Sequence, residues 1–250
     1  MNHGVEKGYN RKGKVEFMDR RSLRWIGFTL ALLITGLAPL PGSGAQQNRY
    51  TALIDPAHGG DEAGVLADKL REKDLTLNLA LLIRQEVQKG ANFDVQLTRS
   101  TDRTMTVSER SKAVVALQPD CLLSLHVNAG FGKKAAGYEV YFPGFRQIVA
   151  GGGDSIVILK DMEKNSYLND SVRLAQQIQA SLETVFPRKG RGLRDAPSPL
   201  LETLTIPGLI VEIGFATSTE DRKKLTDEET QKAVARALVR GLRAYFQKVQ

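Results

Sequence analysis

From Tyr50 to the C-terminus, short apolar runs punctuated by glycine, proline or asparagine alternate with longer segments whose apolar residues recur every three to four positions. This alternation restricts the chain more than any other feature. Tyr50–Asp55 reads as a first strand, stopped by Pro56 and Gly59–Gly60. Leu75, Leu79, Leu82, Ile83 and Val87 fall at helical spacing, and Gly90 closes that helix. Phe93–Leu97 is a second strand, Val107–Leu117 a helix closed by Pro119, and Cys121–Val127 a strand apolar enough to be central. Tyr138–Phe142 alternates and reads as a strand nearer an edge. Residues 144–166 are less regular, with a turn at Gly151–Asp154 and a short apolar run, Ile156–Leu159. Leu174, Ile178 and Leu182 mark a helix, Gly208–Gly214 a further apolar strand, and Val234, Leu238 and Leu242 the terminal helix. Strand–helix alternation of this kind predicts a single α/β domain, its sheet flanked by helices on both faces.

The 250 residues are enough to bury a core, and 42% hydrophobic with 25% charged residues excludes wholesale disorder and a polytopic membrane protein. Cys121 is the one cysteine, so there is no intrachain disulfide framework and no cysteine-based zinc cluster. Its place in an apolar run predicts a buried core residue. At the N-terminus Arg20, Arg21 and Arg24 precede the uncharged run Trp25–Ala38, followed by Ser43-Gly44-Ala45. This is the order of a secretory signal peptide, and the run is shorter than the ~20 residues needed to span a bilayer. Residues 1–45 are therefore expected to be a signal peptide with an N-terminal extension, and residues 46–250 the mature domain, exported to the periplasm or the cell wall. Met18 is an alternative start, and Arg20–Arg24 resembles a twin-arginine export signal in part. Seven Lys/Arg and three Asp/Glu lie in residues 1–45; the remainder carries 28 and 25, a formal charge of +3 against +7 for the whole chain. A nucleic-acid partner is not expected at that charge.

Outside the leader the chain has two histidines, His58 and His126. Each sits at or just past the end of an apolar strand and is followed by small residues, Gly59-Gly60 and Asn128-Ala129-Gly130. In open α/β sheets ligands gather beyond the carboxyl ends of strands, so both imidazoles are placed to meet there. Two imidazoles fall short of the usual three protein ligands of a catalytic zinc, so a carboxylate must complete the set. Asp55, Asp61, Glu62, Glu72 and Glu212 are the candidates near strand ends. Glu212 is the one charge in the strand Leu209–Phe215. A carboxylate there is costly unless paired or metal-bound, and burial raises its pKa towards that of a general base at neutral pH.

Asp55-Pro56-Ala57-His58-Gly59-Gly60, Glu72-Lys73, Thr98-Arg99 with Asp102, Arg110, Ser124–Ala129 and Val211–Phe215 occur in that order. Together they resemble the zinc-dependent N-acetylmuramoyl-L-alanine amidases of the third amidase class, which are cell-wall hydrolases. Ala57 stands where that family usually has glycine. The resemblance implies a mixed, mostly parallel sheet. It implies one Zn2+ ion held by His58, Glu72 and His126, with Glu212 as general base for a zinc-activated water. The substrate implied is peptidoglycan and the bond the amide between N-acetylmuramic acid and L-alanine. Asn128 is a candidate substrate-binding residue. A monomer is expected, with an activator protein as a possible partner. Two other functions fit the same residues less fully: a zinc peptidase or carboxypeptidase acting on stem peptides, and a non-catalytic wall-binding protein. In some relatives the region of residues 144–166 holds a regulatory helix over the zinc, which makes that segment a candidate gate here.

The leader is open to a direct measurement. N-terminal sequencing of the exported protein is expected to start at Gln46; a start at Met1 or Met18 in a membrane fraction would overturn the assignment.

Overall fold

The computed structural model describes residues 49–130, 135–144, 155–186, 192–196 and 198–248, without the side chains of residues 155–165 and 196. The expected leader lies outside these residues, as do residues 145–154 of the candidate gate. All of the described residues belong to one unit, Arg49–Gln250.

Six strands make the main sheet: β1 (Thr51–Pro56), β4 (Asp94–Leu97), β5 (Cys121–Asn128), β6 (Glu139–Pro143), β7 (Leu193–Ala196) and β8 (Gly208–Phe215). A two-stranded hairpin, β2 (Leu66–Ala67) and β3 (Leu70–Arg71), stands apart. The sheet order is β4-β1-β5-β8-β6-β7. Strands β4, β1, β5 and β8 run parallel; β6 pairs antiparallel with β8 and parallel with β7. The expected mixed, mostly parallel sheet is thus present. Its helices are α1 (Glu72–Gln88), α2 (Val107–Leu117), α3 (Ser155–Leu182), α4 (Pro199–Glu202), α5 (Thr219–Thr226) and α6 (Glu228–Phe246).

Strand alternation sorts side chains onto two unequal faces. Ala52, Ile54, Cys121, Leu123, Leu125, Val127, Val140, Leu209, Val211 and Ile213 enter the main core, packed against α1, α3 and α6. The opposite face has a small apolar patch of Leu53, Leu122, Val114 and Leu200, capped by α2 and α4. Helices therefore do flank both faces; among the described residues, α2 and α4 cover the second near the strand starts. Cys121 is fully buried, as its apolar run required, and burial raises its thiol pKa.

Local chemistry explains the element ends. Thr106 and Glu109 form a reciprocal capping box that starts α2, and Gln118 ends that helix in a left-handed conformation ahead of Pro119. Helix α1 has no side-chain cap; its first N–H groups, those of Glu72 and Lys73, donate to the Val65 and Ala63 carbonyls. Ile156–Leu159 is not a separate element but part of the first turns of the 28-residue α3. A short apolar run has no period of its own, and the helical continuation decides its state. The Tyr138–Phe142 segment is β6, second from one edge of the sheet. The short elements β2, β3, β7, α4 and α5 had no counterpart in the periodicity.

Between the small patch and the open part of the second face lies a buried polar cluster. Asp55 is 1% exposed. It accepts from Thr98 Oγ1 at 2.6 Å, from Ser124 Oγ at 2.7 Å and from the Arg110 guanidinium. Asp55→Ala should leave Arg110 buried without its counter-charge, so urea denaturation should register a loss of about 3–5 kcal/mol. A loss below ~1 kcal/mol would mean that the cluster is not a stability element.

Candidate metal centre and general base

His58 follows β1 in a tight loop and has φ 58°, a left-handed conformation uncommon for a residue with a side chain. The loop is held there because its carbonyls are capped. Pro56 O accepts from Arg99 Nε at 3.0 Å and Arg110 Nη1 at 2.9 Å. Ala57 O accepts from Arg99 Nη2, His58 O from Arg110 Nη2, each at 2.9 Å, and Gly60 O from Lys73 Nζ at 2.7 Å. Gly59 pairs with Glu62 through both backbone bonds. A Cβ on Gly59 would run into the Arg103 carbonyl, so the loop needs glycine there.

Glu72, the first residue of α1, reaches back between the two imidazoles. Its Oε2 is 3.1 Å from His58 Nε2 and its Oε1 is 3.1 Å from His126 Nδ1. The same oxygens accept from the backbone N–H of Val65 at 2.8 Å and of Val127 at 3.0 Å. Burial alone would raise the pKa of this carboxyl; the imidazole and backbone donors outweigh it and hold the group well below the usual carboxylate range. His58 is raised from its ordinary value, chiefly by its hydrogen bond to Glu72.

His58, Glu72 and His126 each offer a donor atom, all within 4.8 Å of one another. Two imidazole nitrogens and a carboxylate are the donor set that suits zinc. Two further observations agree with a metal fit. The other nitrogen of His58, Nδ1, lies 2.8 Å from Glu62 Oε1, the outer carboxylate that commonly orients a ligating histidine. Gly64 has φ 68°, and a Cβ there would lie 2.5 Å from both Glu72 Oε2 and His58 Cδ2, inside the space between the donors.

The five acids that flank the strand ends thus have five different settings. Glu72 lies with the histidines, Glu62 stands behind His58, and Asp55 belongs to the Arg110 cluster. Asp61 is exposed on the loop. Glu212 is the register partner of His126 on the neighbouring strand and points to the same face of the sheet. Its carboxyl is pushed up to about 7, first by burial, with Glu72 and Glu139 also raising it and His126 and His58 opposing. Among the described residues its Oε2 is buried and finds no hydrogen-bond partner. A carboxyl so poised can hold or release a proton near neutral pH.

Asn128, two residues beyond His126, donates through Nδ2 to Glu139 Oε2 at 2.8 Å. Glu139 went unremarked in the sequence: a charge at an alternate position of a strand reads as solvent-facing, yet Glu139 is 1% exposed. Glu62 was visible only as one acid among several. Its role as the partner of His58 follows from the Gly59–Glu62 turn, whose signal was Gly59-Gly60 itself.

Comparison with known proteins identifies the family and the fold. A family model described as N-acetylmuramoyl-L-alanine amidase matches residues 52–244. YqiI of Bacillus subtilis (strain 168) is 30% identical over 223 residues, covering 89% of this chain and 97% of that protein. The N-acetylmuramoyl-L-alanine amidase AmiC of Escherichia coli O6:H1 is 24% identical over 231 residues, 83% of this chain, and the match spans 55% of AmiC's length. The crystal structure of an N-acetylmuramoyl-L-alanine amidase from Clostridium difficile 630 superimposes with a TM-score of 0.67 at 26% identity, covering 81% of this chain and all of that one. With its strand order, its histidine pair and its buried glutamates in this arrangement, the chain belongs to the N-acetylmuramoyl-L-alanine amidase family.

Proposed function

We propose that this protein hydrolyses the amide bond between N-acetylmuramic acid and L-alanine in peptidoglycan. The observation that carries the reading is Glu212: a carboxyl with a pKa near 7 in an apolar strand, one strand from a site of two imidazoles and a carboxylate. His58, Glu72 and His126 would hold one Zn2+ ion, which when bound supplies Lewis acidity to the amide carbonyl and to a water molecule. Glu212 accepts the proton of the attacking water and delivers it to the nitrogen of the departing L-alanine, so the C–N bond breaks as a C–O bond forms. Glu72 would join the ligand set as an ionised carboxylate, and Glu62 fixes the far nitrogen of His58. The reading calls for no covalent intermediate, since both imidazoles are committed to the metal and neither is free to activate a side-chain nucleophile.

Peptidoglycan as substrate places the working enzyme outside the cytoplasm, in line with the leader read in residues 1–45 and with residues 46–250 as the catalytic domain. Among the described residues no helix is long and apolar enough to cross a membrane.

Two variants test the roles. Glu72→Ala should lower zinc content and turnover together, since two remaining ligands hold zinc poorly; full metal occupancy in that variant would remove Glu72 from the ligand set. Glu212→Gln keeps the shape and loses the proton acceptor. It should fold, retain zinc and still bind peptidoglycan, while turnover falls by roughly 10²–10⁴-fold. A folded, zinc-loaded and fully active Glu212→Gln would sink the mechanism. Mass analysis of wild-type digests should show release of intact stem peptides starting at L-alanine; cleavage within the stem would make the protein a peptidase instead.

A further inference from the structure

The second face of the sheet carries more polar chemistry than the proposed reaction uses, and it lies on one side of Glu212. Moving across the sheet, His126 on β5 is in register with Glu212 on β8, and Glu212 with Glu139 on β6. Tyr141, two residues beyond Glu139 and on the same face, is in register with Arg194 on β7. Glu139 ties these strands together. Its Oε2 accepts from Asn128 Nδ2 at 2.8 Å and from the Tyr141 hydroxyl at 2.7 Å, and its Oε1 lies 3.6 Å from Arg194 Nε.

A carboxylate buried this fully is costly, and the main core lies on the other face, so packing does not call for it. What Glu139 achieves is to fix the orientation of three polar side chains from three strands around one point. The amide of Asn128 is turned so that Nδ2 faces Glu139, which leaves its carbonyl oxygen as an acceptor. The Arg194 side chain is 45% exposed and turns Nε towards Glu139; among the described residues its two terminal nitrogens have no partner.

The proposed reaction sets the direction of the substrate. Glu212 returns a proton to the leaving nitrogen, so that nitrogen sits on Glu212's side of the histidine pair. The glycan side of the scissile bond then lies towards His58, and the peptide side over β6 and β7. Strand spacing puts β7 about 10 Å from β8. Peptide extends at ~3.3–3.6 Å per residue, so the second residue of the stem comes within reach of a long side chain on β7. In peptidoglycan that residue is a glutamate joined through its side-chain carboxyl, and its α-carboxyl is either free or amidated.

We propose that Asn128, Tyr141 and Arg194, organised by the buried Glu139, form the stem-peptide subsite, with Arg194 recognising the free α-carboxylate of the second stem residue. This rests on the amidase reading above. Glu139 is a positioning residue; Arg194 sets specificity.

The test compares two soluble muropeptides that differ only in that carboxyl, free or amidated. Wild-type enzyme should favour the free acid by roughly 10- to 100-fold in kcat/KM, the range of a hydrogen bond to a charged group. The difference should lie in KM. Arg194→Met should bring the two substrates to near equality by raising KM for the free acid, and Arg194→Lys should restore part of the preference. Glu139→Gln should raise KM for both while zinc content stays at the wild-type level. The proposal is overturned if wild-type enzyme treats the two substrates alike, or if the preference survives Arg194→Met. Failure of wild-type enzyme to cut either muropeptide at the muramyl–alanine bond would instead remove the amidase reading, and the subsite with it.

Discussion

The site depends on the capping of one short loop. Between Pro56 and Gly60 the chain leaves the sheet, turns through a left-handed histidine and two glycines, and presents His58 to the open face. Its backbone carbonyls point inward, where water is scarce. Arg99, Arg110 and Lys73 satisfy those of Pro56, Ala57, His58 and Gly60, while Asp55 and Asp102 balance the positive charge. Buried carbonyls without donors would cost free energy at each position, and a left-handed non-glycine residue adds strain that the surroundings must over-determine. Each guanidinium makes several bonds in a fixed plane, so the loop has one geometry. This explains why two arginines are buried beside a site that never uses them for chemistry, and why lysine would be a poor replacement for either.

With His58 fixed, the same few ångströms hold two carboxyls in opposite states. Glu72 is almost wholly buried and yet ionised, because two imidazoles and two backbone N–H groups surround it. Glu212 is pushed up to about 7, first by burial, because it lacks comparable donors to offset that cost, and Glu72 and Glu139 add to it. Burial raises both carboxyls, and the donors around Glu72 reverse it there, which separates the ligand from the base. An ionised Glu72 raises the cost of ionising Glu212.

Much of this was legible in the sequence, and the rest was hidden for identifiable reasons. Strands β1, β5 and β8 are apolar enough to declare themselves, and their ends brought His58 and His126 forward. Glu212 was visible because a lone charge in an apolar strand is costly unless it is paired or metal-bound. Composition alone did not single out Glu72 from the other acids. It is delivered by a helix start whose N–H groups bond to Ala63 and Val65, a contact made by a hairpin too short to have a period. Arg110 sits on a helix with modest amphipathic pattern, where charge normally means solvent. Glu139 was disguised by regular alternation: the rule that sends every second residue to water fails where that face is folded into a polar cluster. Each hidden feature depends on pairing between segments distant in the chain, which local pattern does not encode.

The two faces of the sheet account for where the chemistry sits. In an open α/β sheet, ligands are expected past the strand ends, yet Glu212 lies inside β8 with three strand residues after it. Along the second face the character of successive side chains changes in step across strands. On β5 it runs Leu122, Ser124, His126; on β1, Leu53, Asp55, then the His58 loop; on β8, Gly208, Ile210, Glu212. Leu53, Leu122 and Gly208 pack under α2 and α4, Asp55 and Ser124 form the buried polar cluster, and His126 and Glu212 are partly exposed beyond it. Among the described residues α2 and α4 cover the strand starts, and the sheet surface beyond them becomes the floor of the site. A residue on that floor keeps strand rigidity, whereas one on a loop beyond it would not. Partial coverage of one face thus lets the base, the His126 ligand and the Glu139 cluster share one register, and spacing between them is set by backbone hydrogen bonds.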